Sequence, residues 1–330
     1  MTRRLKIALQ VAVSGGIIAY LLWQIDVGRT ADLVVSSRPA YLVGALAIFV
    51  ATTGGMAWRW QILLASKGIH EPLAWLTRLY FVAYAAGQIL PTTIGGDAVR
   101  IVEHARRRPL ARGEAAGAVL MERVLGAAGT LLLVAVGLVV AVGRYDDIAV
   151  LIWLEVAFVA GMIVLGVVLF SRRAHEFLQE RVFPRTRRLR LDRALASVGR
   201  ALHGYRDQPR TLLVVTAITV VVQAARIMAI WLCGEAVGLD LSPLVYVVLG
   251  PLLFLVMLVP FTINGLGVRE AFFVAFLARF DVDADAAFAT GFLFYAVTVV
   301  TSIPGGFLLL WSSLRPAFAH TAERAPEDAR

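Results

Sequence analysis

The sequence is short of charge, of cysteine and of any histidine placed for catalysis. Only 17% of its 330 residues are Asp, Glu, Lys or Arg, against about a quarter in soluble domains, so an ordinary soluble fold is excluded. A single cysteine, Cys233, excludes an intrachain disulfide. The five histidines, His70, His104, His175, His203 and His320, fall in links between apolar stretches. No grouping of His, Cys, Asp and Glu has the spacing of a metal site, so neither a metal nor another cofactor is expected. No link is long enough for a separate catalytic domain, so the chemistry is expected inside the membrane.

What the sequence has instead is apolar length. Hydrophobic residues make up 59% and the mean hydropathy is +0.76. Six windows are free of charge: 7–25, 39–58, 79–96, 124–143, 241–268 and 286–314. Each approaches or exceeds the roughly 20 residues that cross a bilayer core. Windows 148–170 and 211–235 carry interior charges, Glu155 and Arg226. A basic start (Arg3, Arg4, Lys6) precedes the first window with no small-residue cleavage pattern behind it, which reads as a retained helix.

The net charge of +9 is unevenly placed. Eleven arginines lie within 172–210, and another cluster holds Arg106, Arg107, Arg108 and Arg112. The positive-inside rule makes both cytoplasmic. The acidic links near Asp26, Asp147 and Asp281–Asp285 then fall outside. Full spans at 5–25, 40–62, 114–142, 148–170, 211–234 and 286–312 satisfy this pattern, with both termini cytoplasmic in a cell inner membrane. Segments 76–90 and 244–259 do not fit as spans, because each returns to the side it left. The fold expected is an all-α polytopic membrane protein of about six full spans plus two oppositely oriented re-entrant hairpins. It forms a single membrane domain with halves 1–142 and 148–312, a basic loop 171–210 and a tail 315–330. Leu191, Leu195, Val198 and Leu202 recur at helical spacing in that loop, as in an interfacial amphipathic helix. No nucleic-acid motif accompanies the charge.

The two turning points share a sequence. Pro91-Thr-Thr-Ile-Gly-Gly-Asp-Ala-Val-Arg100 aligns without gaps on Pro260-Phe-Thr-Ile-Asn-Gly-Leu-Gly-Val-Arg269, with six of ten positions identical. Copies entering from opposite faces form an inverted repeat, whose broken helices meet near the midplane and build a substrate site. Proline ends the incoming helix and glycine permits the reversal. New helices are expected near Asp97 and Leu266, their free N–H groups offering a place for an anion. The candidate binding residues are Gly95, Gly96, Asp97 and Arg100 at the first turn and Asn264, Gly265, Arg269 and Glu270 at the second. Asp97 equally fits an N-cap, and Glu270 a local partner of Arg269.

Charges inside spans are costly and mark function by default. Glu122, Arg123 and Arg226 are therefore added to the site, with Glu122 and Arg226 either bridged directly or separated by a bound phosphate. A structural ion network is the plainer alternative. Gly15-Gly16, Gly54-Gly55 and Gly305-Gly306 suggest close helix packing. Trp23, Trp58, Trp60, Trp75, Trp153 and Trp311 lie near span ends, as interfacial anchors do.

The Pro-x-Thr-Ile-Gly-Gly-Asp-x-Val-Arg tip, Glu122-Arg123-x-x-Gly126 and the Gly-Leu-Gly-Val-Arg-Glu tip at 265–270 resemble the lysylphosphatidylglycerol synthase transmembrane-domain family, also called flippase-like. The resemblance covers about residues 5–312 and departs at Asn264, where a Gly-Gly pair is usual. No aminoacyl-transferring domain is present, so synthesis of lysyl-lipid is not implied. The resemblance implies a transporter moving an anionic phospholipid or lipid-linked intermediate between leaflets by alternating access. A membrane-embedded transferase on a phospholipid or polyprenyl phosphate, or an accessory subunit recruiting a cytoplasmic lipid-modifying enzyme, remain the alternatives. Single cysteines Ile94→Cys and Ile263→Cys in a Cys233→Ala chain are expected to react with a membrane-impermeant maleimide. Labelling no faster than at a lipid-facing mid-helix position would remove both hairpins.

Overall fold

The computed structural model describes residues 3–89, 95–141, 204–258 and 265–322, together with Val156 and Ala160. Among them there is no strand. Ten α-helices run in order: α1 Arg3–Gln24, α2 Val27–Val35, α3 Pro39–Ala65, α4 Leu73–Ile89, α5 Gly95–Arg107, α6 Arg112–Ala141, α7 Pro209–Val237, α8 Pro243–Leu258, α9 Val268–Leu277 and α10 Ala284–Ala322. Among the described residues four stretches are long and apolar enough to cross a membrane: Pro39–Ala65, Pro109–Gly137, Pro209–Val237 and Ala284–Trp311. The protein is a multi-pass membrane protein. The expected span 148–170 apart from those two residues, the loop residues 171–203, Asn264 and the rest of both tips (90–94 and 259–263) lie outside the described residues, Glu155 among them, as do tail residues 323–330.

Local chemistry accounts for the helix ends. Pro39 and Pro209 open α3 and α7 within their first turns, where a missing N–H costs nothing. Gly238, at φ +93°, closes α7. The Gly238 N–H donates to Glu235 O at 3.1 Å and the Leu239 N–H to Gly234 O at 3.0 Å, the pairing of a Schellman end. The link expected at 26–38 contains a short helix, α2, because the Asp26 side chain accepts the Arg29 N–H and caps it.

Contacts at the helix ends fix where each helix begins. At one end of the bundle, Arg108 Nε meets Glu71 Oε1 at 2.7 Å, Tyr205 OH donates to Leu63 O and Gln208 donates to Ser66 O. At the other, Arg29 meets Asp283 at 2.8 Å, the Asp26 N–H donates to Asp285 Oδ1 and the Arg38 N–H to Ala236 O. Helix α4 therefore starts, and α5 finishes, at the Glu71 end. Helix α8 starts, and α9 finishes, at the Asp283 end. Neither pair has an arm of spanning length: α4 has 17 residues and α8 has 16, about 25 Å each at 1.5 Å per residue.

Two buried apolar clusters brace this arrangement. One gathers Phe49, Tyr246, Leu249, Phe273 and Phe294, the other Trp60, Leu63, Leu76, Tyr80 and Met121. Trp60 is thus a fully buried core residue and not the interfacial anchor its position suggested, because α3 runs on to Ala65. His104 is likewise part of helix α5 and fully buried, not in a link between helices. Of the glycine pairs, Gly55 packs on Val222, and a Cβ on Gly305 would overlap the Phe81 carbonyl. A Cβ on Gly15, Gly16, Gly54 or Gly306 would meet nothing within 4 Å among the described residues, so there Gly55 and Gly305 alone make the expected contacts. Gly96 sets α5 against α4, since a Cβ there would lie 2.6 Å from Ala83 O.

Because Gly305 touches backbone, Gly305→Ala is expected to destabilise by about 1–3 kcal/mol, while Gly306→Ala, in open space, leaves the melting temperature in detergent unchanged. Equal melting of the two variants would contradict this packing.

Candidate functional site

Helix α6 supplies the centre of the site. Glu122 is 2% exposed, and its carboxylate gathers partners from three other helices. Oε1 accepts from Arg59 Nε of α3 at 3.1 Å and from Tyr80 OH of α4 at 2.6 Å, while Oε2 accepts from Arg100 Nη1 of α5 at 2.9 Å. Arg59 also donates to Thr219 of α7 at 3.0 Å. The Arg100 guanidinium lies over the rings of Tyr80 and Trp60, 4.1 and 4.7 Å from their centroids, which adds a cation–π contribution. Asp97 closes the set. It accepts from Arg100 Nη2 at 2.8 Å and from Arg123 Nε at 2.7 Å, tying the start of α5 to α6 a second time.

The second tip is arranged differently. Helix α9 starts at Val268, two residues beyond the expected Leu266, whereas α5 starts at Gly95, two residues before Asp97. Aligned on the repeat, the first helix therefore begins earlier than the second. Arg100 falls in the second turn of α5, and Arg269 is the second residue of α9. Gly265 and Gly267 adopt φ +75° and +85°, values that favour glycine. Arg269 is held by its neighbour: Glu270 Oε1 accepts from Arg269 Nε and Nη2 at 3.0 and 2.8 Å, and Oε2 accepts the Gly267 N–H at 2.8 Å. Glu270 is thus a local partner and a helix cap in one. The Arg269 guanidinium also lies 4.4 Å from the Tyr295 ring centroid.

Both tips face one cavity of about 640 Å³. Gly96, Asp97 and Arg100 line it from the first pair and Arg269 from the second; Glu122, Arg123 and Arg226 line it from α6 and α7. Of the expected site residues, seven therefore share one hollow. Glu270 stands behind Arg269, while Gly95 and Gly265 support the backbone outside the lining.

Arg226 does not bridge to Glu122. Its Nε donates to Thr52 Oγ1 at 3.3 Å, an Nη donates to Tyr84 OH, and its guanidinium lies 5.1 Å from the Phe49 ring centroid. Beside it, Thr130 donates to Gln223 Oε1 at 2.9 Å and Gln223 donates to Gly126 O.

Sequence reasoning missed Arg59, Tyr80, Tyr84 and Gln223. Arg59 lies inside the expected span 40–62, and an interior charge there was the available signal, but its place three residues from the span's end suits an interfacial charge as well. The other three are uncharged, and nothing in a single sequence separates them from ordinary polar residues on a helix. Among the described residues no group of three or more His, Cys, Asp and Glu is placed to hold a metal ion.

Removing the Glu122 charge leaves two buried guanidiniums facing each other. Glu122→Gln is expected to lower stability by about 3–5 kcal/mol, read as the unfolding midpoint in detergent. Adding Arg59→Met should recover part of the loss in a double-mutant cycle; strictly additive effects would separate the two groups.

The family model described as the lysylphosphatidylglycerol synthase TM region matches residues 7–305 of the chain. No curated protein matches it.

Proposed function

The chain belongs to the lysylphosphatidylglycerol synthase TM-region family, and within that family we propose that it is a flippase-like transporter carrying an anionic lipid headgroup between leaflets. The observation that supports this reading is the shared cavity: Arg100 from one helix pair and Arg269 from the other, pairs whose first helices start at opposite ends of the bundle, both line one hollow. Helix pairs of this kind are the building units of inverted-repeat transporters, in which half-helices meet at the midplane and bind the substrate there. We take 73–107 and 243–277 as the two re-entrant hairpins of such a repeat.

The chemistry of the lining suits an anion. Five arginines face the cavity, Arg59, Arg100, Arg123, Arg226 and Arg269, against the carboxylates Asp97 and Glu122. Guanidinium groups bind phosphate through paired N–H donors. Phe49, Leu253, Phe254 and Phe294 give the same cavity an apolar wall, where the first methylenes of a lipid would rest. Acyl or prenyl tails would stay in the bilayer, and rocking of one half against the other would expose the headgroup site to each leaflet in turn. In the orientation we propose, the Glu71 and Arg106–Arg108 end and both termini face the cytoplasm of a cell whose inner membrane holds the protein.

The test is translocation in proteoliposomes carrying a fluorescent phosphatidylglycerol, read by dithionite quenching. The intact chain should raise the rate above protein-free vesicles. Ala127→Trp, which fills the cavity from α6, should abolish the increase while the protein still melts cooperatively. Equal rates with and without protein would end the transport reading; chemical conversion of the lipid would instead favour a membrane-embedded transferase.

A further inference from the structure

The arginines of the cavity are held in two ways. Arg59 and Arg100 meet Glu122 at 3.1 and 2.9 Å, and Arg269 meets Glu270 at 2.8 Å. These are bonds between full charges, in which an entering anion must compete with a carboxylate. Arg226 of α7 is bonded to hydroxyls. Its Nε donates to Thr52 of α3 at 3.3 Å, and an Nη donates to Tyr84 of α4. A hydroxyl oxygen is a weaker partner for a guanidinium than an anionic oxygen, and the difference widens in the low dielectric of a membrane interior.

The two hydroxyls are not equivalent. Thr52 is buried and donates its own proton to Phe49 O at 3.0 Å, so its oxygen accepts from Arg226 and fixes the Nε edge. Tyr84 lines the cavity together with Arg226, and its hydroxyl meets an Nη, the part of the fork with which arginine grips an anion. The Tyr84 proton goes to Met56 Sδ at 3.1 Å. Tyr84 can therefore release Arg226 and keep a hydrogen-bond partner, although a thioether accepts weakly. The release avoids the cost of a hydroxyl left with its bonds unmade. The Tyr84 ring is braced separately, edge to face with Tyr80 at 6.4 Å, and Tyr80 is anchored on Glu122.

Resting on the reading that this cavity holds a lipid headgroup, we propose that the Tyr84 hydroxyl holds the place of a headgroup oxygen on Arg226, and that the headgroup binds by taking the Nη edge from it. Thr52 positions Arg226 before and after the exchange. Tyr84 is the internal competitor that sets how tightly the headgroup is held.

The purified full-length chain in phosphatidylcholine nanodiscs is titrated with dihexanoyl phosphatidylglycerol by calorimetry, against empty discs. Tyr84→Phe, which keeps the ring and removes the competing hydroxyl, is expected to bind the probe about fivefold tighter than the intact chain, the effect of one hydrogen bond that no longer has to be broken. A residue that only supports the fold would not tighten binding when truncated. Arg226→Gln is expected to weaken binding about tenfold, and adding Tyr84→Phe to it should change the affinity by less than about twofold, since the two act through one contact. Unchanged or weaker binding by a Tyr84→Phe chain that melts like the intact one overturns the proposal. Tightening of equal size in the Arg226→Gln background overturns it too. Inorganic phosphate displacing the probe at equal concentration would overturn the lipid headgroup as the occupant. If the probe binds to no variant while translocation above background persists, the exchange falls and the transport reading stands. If both are absent, the transport reading falls with it.

Discussion

A carboxylate buried among helices must find cationic or hydrogen-bonding partners in the packed state, and in this chain Glu122 finds them on α3, α4 and α5 at once. Much of the first half is organised by that requirement. Leaving such a group unpaired is far more costly than any gain from pairing it, so packings that separate Arg59, Tyr80 and Arg100 from Glu122 are strongly disfavoured. Arg59 carries the constraint on to Thr219 of α7, and Asp97 with Arg123 repeats it nearer the start of α5. The cavity wall on this side is therefore held in place by contacts within the chain.

The two copies of the repeated tip solve one electrostatic problem in two ways. The first N–H groups of a helix form its positive end, where an anion is favoured and a guanidinium is not. In α5 the first turn holds Asp97, and Arg100, further along, reaches away to Glu122. In α9 the arginine is the second helical residue, so compensation has to come from the next position. Glu270 supplies it and caps Gly267 as well. The position of Asp97 is occupied in the second copy by Leu266, which carries no charge to do this work. A shared sequence therefore places both arginines on one cavity while leaving one wired across helices and the other locally neutralised.

Helix contact in lipid has little hydrophobic drive, so close approach of small residues and polar contacts take over. Helix α4 illustrates this. It is gripped by α5 through Gly96 against Ala83 and by α10 through Gly305 against Phe81, while its Tyr80 and Tyr84 face the charged network and Arg226. The short arm that brings the first tip to the cavity is thereby fixed to the rest of the bundle along two sides.

Membrane residence, helical class and most limits of the described helices were all legible in the sequence. Expected limits such as 211–234 or 76–90 fall within a few residues of helices α7 and α4. The reason is local: in lipid a backbone must satisfy its own hydrogen bonds, so apolar length dictates helix and proline or glycine dictates where it stops. The partners inside the site were not legible. Arg59 meets Glu122 across 63 positions and Thr219 across 160, while Arg226, expected near Glu122, rests on Tyr84 and Thr52. Which charge meets which is decided by how helices rotate and cross, and that depends on small residues such as Gly96 and Gly305 whose contacts exist only once the bundle has formed.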